Sequence, residues 1–173
     1  VVLTKTADDA DIEFTGALVT PTLTTAGQGY DLELFGSGTV ITNAVTFINT
    51  GTLTLGNAAA DTLLFNGGLV ATAPSAGTLN VTLRSSGDVI SLGDGGTGVT
   101  LAGTTIIDTT NNGGSGSGGA ITVAGAVVGA TGDTQSLTLN AGTGGAVSFT
   151  STIGAATTLA TLTLLDSNGA TFT

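Results

Sequence analysis

The residues of this chain best placed to do chemistry together are Arg84, Asp88 and Asp94, within the stretch LRSSGDVISLGDGG. Two carboxylates beside a basic group could cleave a polysaccharide by acid–base chemistry. The chain has no His and no Cys, so the commonest bases, activated nucleophiles and soft metal ligands are missing. We therefore favour the simpler interpretation, in which all three residues lie in solvated turns and any ion pair between Arg84 and Asp88 is weak. The sequence predicts no catalytic or cofactor-binding residue and no enzymatic activity.

A second group of acidic residues lies near the beginning of the sequence. Asp8, Asp9, Asp11 and Glu13 crowd the stretch ADDADIEF, and carboxylate oxygens suit Ca²⁺. The run lacks the glycine and the distal glutamate of an EF-hand loop. The sequence GDGGTG from Gly93 is similar to part of the calcium-binding nonapeptide GGxGxDxUx. It occurs only once, so it has no stacked neighbour to complete a calcium site. We favour a solvated acidic edge without a metal or cofactor, and keep weak Ca²⁺ binding as the alternative.

Threonine pairs offer a third kind of chemistry, because ranks of outward Thr-x-Thr on a flat sheet could bind ice. Such binding needs the pairs in register over successive strands, and here they recur irregularly. Outward threonine also simply fits a strand surface. Ice binding is therefore an alternative function rather than the favoured one. The pairs begin at positions 4, 22, 52, 161 and 171.

The composition indicates which elements position these residues. The chain has 29 Gly, 2 Pro and only 8% charged residues. It is too poor in Lys, Glu, Gln and Arg to supply the solvent faces of helices. Its abundant Thr, Val, Leu and Gly favour short strands separated by turns.

Charge restricts the partners. The net charge is −10, and the basic residues are Lys5 and Arg84 alone, too few to neutralise a run of phosphates. We predict no nucleic-acid partner, and the same charge disfavours an anionic membrane surface. The apolar stretch at 120–130 is about half the length of a spanning helix and contains two Gly, so we predict a buried strand and no membrane insertion.

The chain repeats itself. The segments LTLGNAAADTLLF (53–65) and LTLNAGTGGAVSF (137–149) match in length and at both ends. Looser copies begin at 3, 32, 81, 106 and 162, which gives a period of about 26 residues. Two other pairs of segments agree with that period: FTGALV at 14 with FNGGLV at 65, and AVTFINT at 44 with AVSFTST at 146.

Each repeat has the pattern of strand, glycine-rich turn and strand, with apolar residues at every second position. A coil of about 26 residues predicts an all-β fold, a right-handed parallel β-helix of six to seven coils that forms one domain over 1–173. The Gly/Ser-rich segment at 108–119 is predicted to be a loop bulging from one coil. Two tandem Ig-like sandwiches are the competing fold. Five phenylalanines are expected to share one interior ladder: Phe14, Phe47, Phe65, Phe149 and Phe172.

The segments LTLNAGTGGAVSF, STIGAATTLATLTLLDSNGATFT and FNGGLVATAPSAGTLNVTL resemble the Gly/Thr/Ala-rich repeats of large bacterial exoproteins, the filamentous-haemagglutinin-like adhesins and autotransporter passengers. The resemblance implies a secreted β-solenoid rod at the bacterial cell surface, acting as an adhesin, a biofilm scaffold or an extracellular filament. Expected partners are a further length of solenoid, joined end to end or by continuation of the chain, and a host or cell-surface glycan or protein.

The two ends of the sequence are expected to fall at the same point of the repeat. Phe172 follows Phe14 at a distance close to six coils of the predicted period. This spacing predicts an internal portion of a longer rod.

Overall fold

The computed structural model describes residues 1–4 and 7–173, so Lys5 and Thr6, with part of the first repeat copy, lie outside the described residues. The described chain forms three parallel sheets stacked as a β-solenoid of about seven turns, without a helix. The predicted all-β solenoid is therefore confirmed. The described residues also contain no helix of the length and apolarity needed to cross a bilayer.

The chain visits the three sheets in rotation, so that a complete coil adds one strand to each sheet, although the first and last coils each supply only two of the three strands. The first sheet contains β1 (Asp11–Phe14), β3 (Asp31–Leu34), β6 (Leu53–Leu55), β9 (Ala76–Leu79), β12 (Gly98–Leu101) and β15 (Val127–Gly129). The second contains β2 (Val19–Thr20), β4 (Thr39–Ile41), β7 (Thr62–Phe65), β10 (Thr82–Arg84), β13 (Thr105–Asp108), β16 (Ser136–Asn140) and β18 (Thr161–Asp166). The third contains β5 (Val45–Thr46), β8 (Leu69–Ala71), β11 (Ile90–Leu92), β14 (Ile121–Val123), β17 (Val147–Phe149) and β19 (Ala170–Phe172).

Alternating side chains explain why these short segments become strands. In β7, Leu63 and Phe65 point inward and are fully buried, while the alternate residues Thr62 and Leu64 are partly exposed. Successive strands pair in register, so that inward positions stack on inward positions, as Leu63 does on Leu83. This stacking produces one continuous apolar core along the axis of the solenoid. Burial of that core is the main favourable term in its folding.

The coils are unequal in length. Paired residues in neighbouring coils are roughly 24 residues apart on average, close to the predicted period of about 26. The coil between Asp11 and its partner Asp31 is among the shortest, and the coil between Asp108 and its partner Asn140 is among the longest. The longest coils contain the segment 108–119, which connects β13 to β14. Additional residues are thus accommodated at the corners, while the three-sheet stack is maintained.

The predicted single phenylalanine ladder is wrong. Phe14 lies in the first sheet and Phe65 in the second, whereas Phe149 pairs with Phe172 in the third. Phe47 follows β5 of the third sheet, and its ring meets that of Phe65 edge to face at 5.9 Å. The three sides of the coil share one alternation of apolar and polar residues, so the sequence pattern does not identify which side a phenylalanine occupies.

The repeat segments correspond only in part to equivalent positions. The pair at 44 and 146 does, because Val45 and Val147 occupy the same column of the third sheet. The best-matched pair does not: 53–65 spans the first and second sheets, and 137–149 spans the second and third. Phe14 and Phe172 also lie on different sheets, so the two ends are not at the same point of the repeat.

One place in the core is underfilled. Gly77 stands in the inward column of the first sheet, between Leu53 and Val99. A void of about 10 Å³ lies beside it, with an almost entirely apolar lining. That volume is at the lower limit for one water molecule, and the lining offers no set of polar partners. The core therefore lacks side-chain volume at this coil.

Candidate functional site

The structure does not bring Arg84, Asp88 and Asp94 together as a catalytic group. Arg84 ends β10 in the second sheet, and Asp88 is exposed in the turn before β11. Asp94 is exposed in the next turn, before β12. The ion pair of Arg84 is with Asp108, whose Oδ2 lies 3.7 Å from the arginine Nε. Asp108 is the partner that sequence reasoning missed, and it lies one coil further along the chain.

Asp94 closes a turn. Its Oδ1 accepts hydrogen bonds from the backbone N–H groups of Gly96 and Thr97, at 2.7 and 2.8 Å. These bonds, with the Thr97 side chain, hold the pKa of Asp94 below its usual value because they favour the charged carboxylate. Gly93 precedes it with a φ of 65°. The GDGGTG sequence thus forms a tight turn in which the Asp94 carboxylate accepts hydrogen bonds from backbone N–H groups of the same turn.

Strand register gathers acidic residues from two successive coils. Asp11 and Glu13 lie on the outward face of β1, directly opposite Asp31 and Glu33 of β3. Burial raises the pKa of Glu33, and the carboxylates of Glu13, Asp11 and Asp31 raise it further. The sequence signal for this cluster is the Asp-x-Glu pattern, which occurs at 11–13 and again at 31–33, whereas the candidate calcium ligands named from the sequence lie in or just before the first copy alone.

These carboxylates do not form a metal site. The backbone N–H of Gly29 donates a hydrogen bond to Oδ1 of Asp8, at 2.7 Å. Asp31 likewise accepts from the backbone N–H of Thr52 at 2.6 Å. Among residues 1–4 and 7–173, no group of three or more His, Cys, Asp or Glu side chains could hold a metal ion.

The threonine pairs do not stack on one another. The pairs that begin at Thr52, Thr161 and Thr171 lie on the first, second and third sheets respectively, and the pair at Thr4 extends outside the described residues. The first sheet instead carries a ladder of single threonines, in register at three successive coils. Its members are Thr54, Thr78 and Thr100.

A groove crosses the outer face of the second sheet. Its volume is about 360 Å³, and it is lined by Thr82, Arg84, Ile106, Asp108, Asn112, Gly113, Asn140 and Leu165. Arg84, Asp108 and Asn140 come from successive strands of one register column and form its polar floor. The loop after β13 supplies one edge, and β18 supplies Leu165.

Asp108 organises that loop. Its Oδ1 accepts hydrogen bonds from the backbone N–H and the hydroxyl of Thr110, and its Oδ2 accepts one from the backbone N–H of Asn112. Asn140 contributes from the next coil, because its amide donates to the Thr110 hydroxyl at 3.2 Å. The Asp108 side chain is only 7% exposed, so these bonds offset the cost of burying its charge.

The last coil leaves its inward residues uncovered. Leu162, Leu164 and Phe172 are 41%, 40% and 44% exposed. They continue the columns of Leu137, Leu139 and Phe149, which are at most 1% exposed in the coil before. Beside them, a cleft of about 380 Å³ is lined by residues of 153–162, among them Ile153 and Leu159. The exposed surface is therefore a cross-section of the core.

Comparison with known proteins supplies no relative for this chain: no family model, no curated protein and no solved structure matches it.

Proposed function

We propose that this chain is a non-enzymatic structural and adhesive module: a β-solenoid segment of a large secreted adhesin, or of an extracellular filament, at the bacterial cell surface. The resemblance of its repeats supports the secreted and adhesive parts of the proposal. The exposed end of the stack supports the structural part. The function consists of extending a rod by addition of further coils.

The observation that carries the proposal is the contrast between the last two coils. Equivalent leucines change from at most 1% exposed to about 40% exposed in a single step along the axis. The outer edges of β18 and β19 pair with no further strand among the described residues. An edge with unpaired N–H and C=O groups is a template for another strand. A further solenoid coil would provide both hydrogen-bonding strands for this edge and apolar inward residues to cover this surface.

Association of the purified chain tests the proposal. We expect sedimentation velocity to show mass that rises with concentration, and electron microscopy to show rods that lengthen in steps. Replacing Leu162 and Leu164 by Asp is expected to abolish this growth, since it places charge in the stacking column. Leu165→Asp is the matched control, because Leu165 lies on the same strand but at a bulge outside that column. A chain that stays monomeric at its highest soluble concentration would contradict end-to-end assembly.

Ice binding remains a second candidate because of the in-register ladder of Thr54, Thr78 and Thr100 on the first sheet. Regular rows of hydroxyl and methyl groups on a flat face are what such binding requires. Thermal hysteresis that is lost in Thr78→Tyr would support it, and an unmodified chain without thermal hysteresis would remove it.

A further inference from the structure

We propose that the groove on the second sheet binds a neutral saccharide, with Arg84 as the principal hydrogen-bond donor. The inference deepens the adhesive part of the proposed function and rests on it. The volume of about 360 Å³ falls in the range of small-molecule sites. Three features of the groove support binding: its built edges, an unmet donor on its floor, and its balance of charge.

The first feature is the way in which the two edges are formed. The pairing of β16 with β18 shifts between Leu139 and Asn140, so that Asn140 faces Asp166 and Leu165 is left as the additional residue of a β-bulge. Leu165 is 64% exposed and lines the groove. Bulges commonly redirect a side chain next to a functional site.

The opposite edge is held in an unusual backbone conformation. Asn111, Asn112 and Gly113 have consecutive positive φ angles of 51°, 58° and 84°. Non-glycine residues seldom adopt this region, and a succession of them costs free energy that the surrounding structure must offset. The hydrogen bond from Asn112 to Asp108 fixes this edge above the floor. Both edges are thus specified by local irregularities of the chain.

The second feature is a donor without an acceptor. The Nε of Arg84 is buried and has no hydrogen-bond partner in the part of the chain that the structure describes, since Asp108 lies at ion-pair distance only. A buried donor left unpaired is costly, so native structures seldom retain one without a reason. The guanidinium presents its N–H groups in a rigid fork that suits paired oxygen acceptors. The Nε itself is out of reach of a ligand, but the Arg84 side chain is 27% exposed, so two neighbouring oxygens of a ligand can accept hydrogen bonds from the outer N–H groups of the guanidinium.

The third feature identifies the class of ligand. The charge of Arg84 is balanced by Asp108, one strand away, and the chain as a whole carries a net charge of −10. An anionic ligand would meet the Asp108 carboxylate and the repulsion of the whole surface. A neutral sugar meets neither, because vicinal hydroxyls accept from Arg84. Its C–H face can pack on Ile106 and Leu165, the apolar residues of the lining.

The site can be tested by NMR titration of the ¹⁵N- and methyl-labelled chain. The probes are maltotetraose, cellotetraose and mannotetraose, with tetragalacturonate as the acidic comparison. We expect at least one neutral tetrasaccharide to shift the Arg84 Nε–H signal and the methyl signals of Ile106 and Leu165 saturably. Absence of such shifts with all three neutral probes would overturn the proposal, and so would shifts with tetragalacturonate alone.

Three variants distinguish binding in this groove from nonspecific binding. Arg84→Lys keeps the charge but loses the fork, and we expect affinity to fall at least tenfold. Leu165→Ala should also weaken binding, and since the residue is exposed this variant tests the groove even if Arg84→Lys fails to fold. Ile48→Ala removes an exposed apolar side chain outside the groove lining and should bind normally. Binding that survives both groove variants would overturn the site.

The outcome is distinguishable from that of the stacking experiment. A failed titration by a chain that still assembles into rods contradicts the groove alone, whereas a saturable titration by a monomeric chain contradicts end-to-end assembly alone.

Discussion

Filling the underpacked position in the core should stabilise the solenoid, and Gly77→Ala is the change that tests this. A β-carbon at Gly77 would have its nearest neighbours at 3.8 Å, the carbonyl oxygen of Gly98, and 3.9 Å, the Cγ2 of Val99. Both are ordinary van der Waals distances. The backbone there does not need the left-handed region. The added methyl would therefore enter the void beside Leu53 without displacing a neighbour.

The expected gain has two parts. Replacing glycine in a strand removes about 0.5 to 1 kcal/mol of backbone entropy cost. Burying one methyl group contributes up to about 0.8 kcal/mol, less here because the position is only half-buried. Together these predict a rise of about 1 kcal/mol in the free energy of unfolding. With a urea m-value of about 2 kcal/mol/M, the midpoint followed by circular dichroism should rise by about 0.5 M.

Gly125→Ala is the matched control. Its β-carbon would overlap the carbonyl oxygen of Thr97, so backbone must move, and we expect a loss of about 1 to 3 kcal/mol. The two substitutions are chemically identical and differ only in the space that receives them. If Gly77→Ala lowers the midpoint, or if both variants lower it equally, the described packing between Leu53 and Val99 is incorrect.

Three further predictions concern charged residues. Glu33→Gln should raise stability at pH 7 by about 0.5 kcal/mol, because like charges such as Glu33 and Glu13 face each other across the strands. The raised pKa of Glu33 means that the folded state binds this proton more tightly than the unfolded state does. The resulting stabilisation is fully present below the unfolded pKa of about 4.3 and is lost as pH rises through the folded pKa. The urea midpoints of the Glu33→Gln variant and of the parent chain should therefore converge on acidification. Asp108→Asn should cost about 2 kcal/mol and speed amide exchange at Thr110, because an amide cannot accept all the bonds of the carboxylate. Asp88→Asn, at an exposed turn, should change stability by less than about 0.5 kcal/mol in the same urea titration.

The sequence predicts the solenoid but not the phase of its coils. Alternation and glycine-rich corners are visible in segments such as 137–149, and their recurrence requires stacking. All three sides of the coil use the same alternation, so similar segments can lie one sheet apart, as 53–65 and 137–149 do. The coil that separates Asp11 from Asp31 is much shorter than the coil that separates Asp108 from Asn140, and this variation prevents extrapolation from one coil to the next.

The sites depend on that missing register. Arg84 meets Asp108 only because the two occupy one column in neighbouring coils, whereas sequence proximity suggested Asp88. Asp11 and Asp31 face each other for the same reason, since they occupy one column in neighbouring coils, although they are closer together along the chain. Leu165 reaches the groove through a bulge, which the uninterrupted stretch TLTLLD does not reveal. Local sequence thus specifies each strand, while contacts between coils decide which side chains become neighbours.

The unequal coils also determine how a rod of this kind would respond to tension. Neighbouring coils are about 4.8 Å apart along the axis, yet each contains roughly 24 residues, which extend to about 80 Å when pulled straight. Detaching one terminal coil would break only its short strand pairings. It would therefore release more than ten times the length that the coil occupied in the stack. Under load such a rod would lengthen in steps, as one coil after another unfolds. The largest single step would come from the coil that contains 108–119.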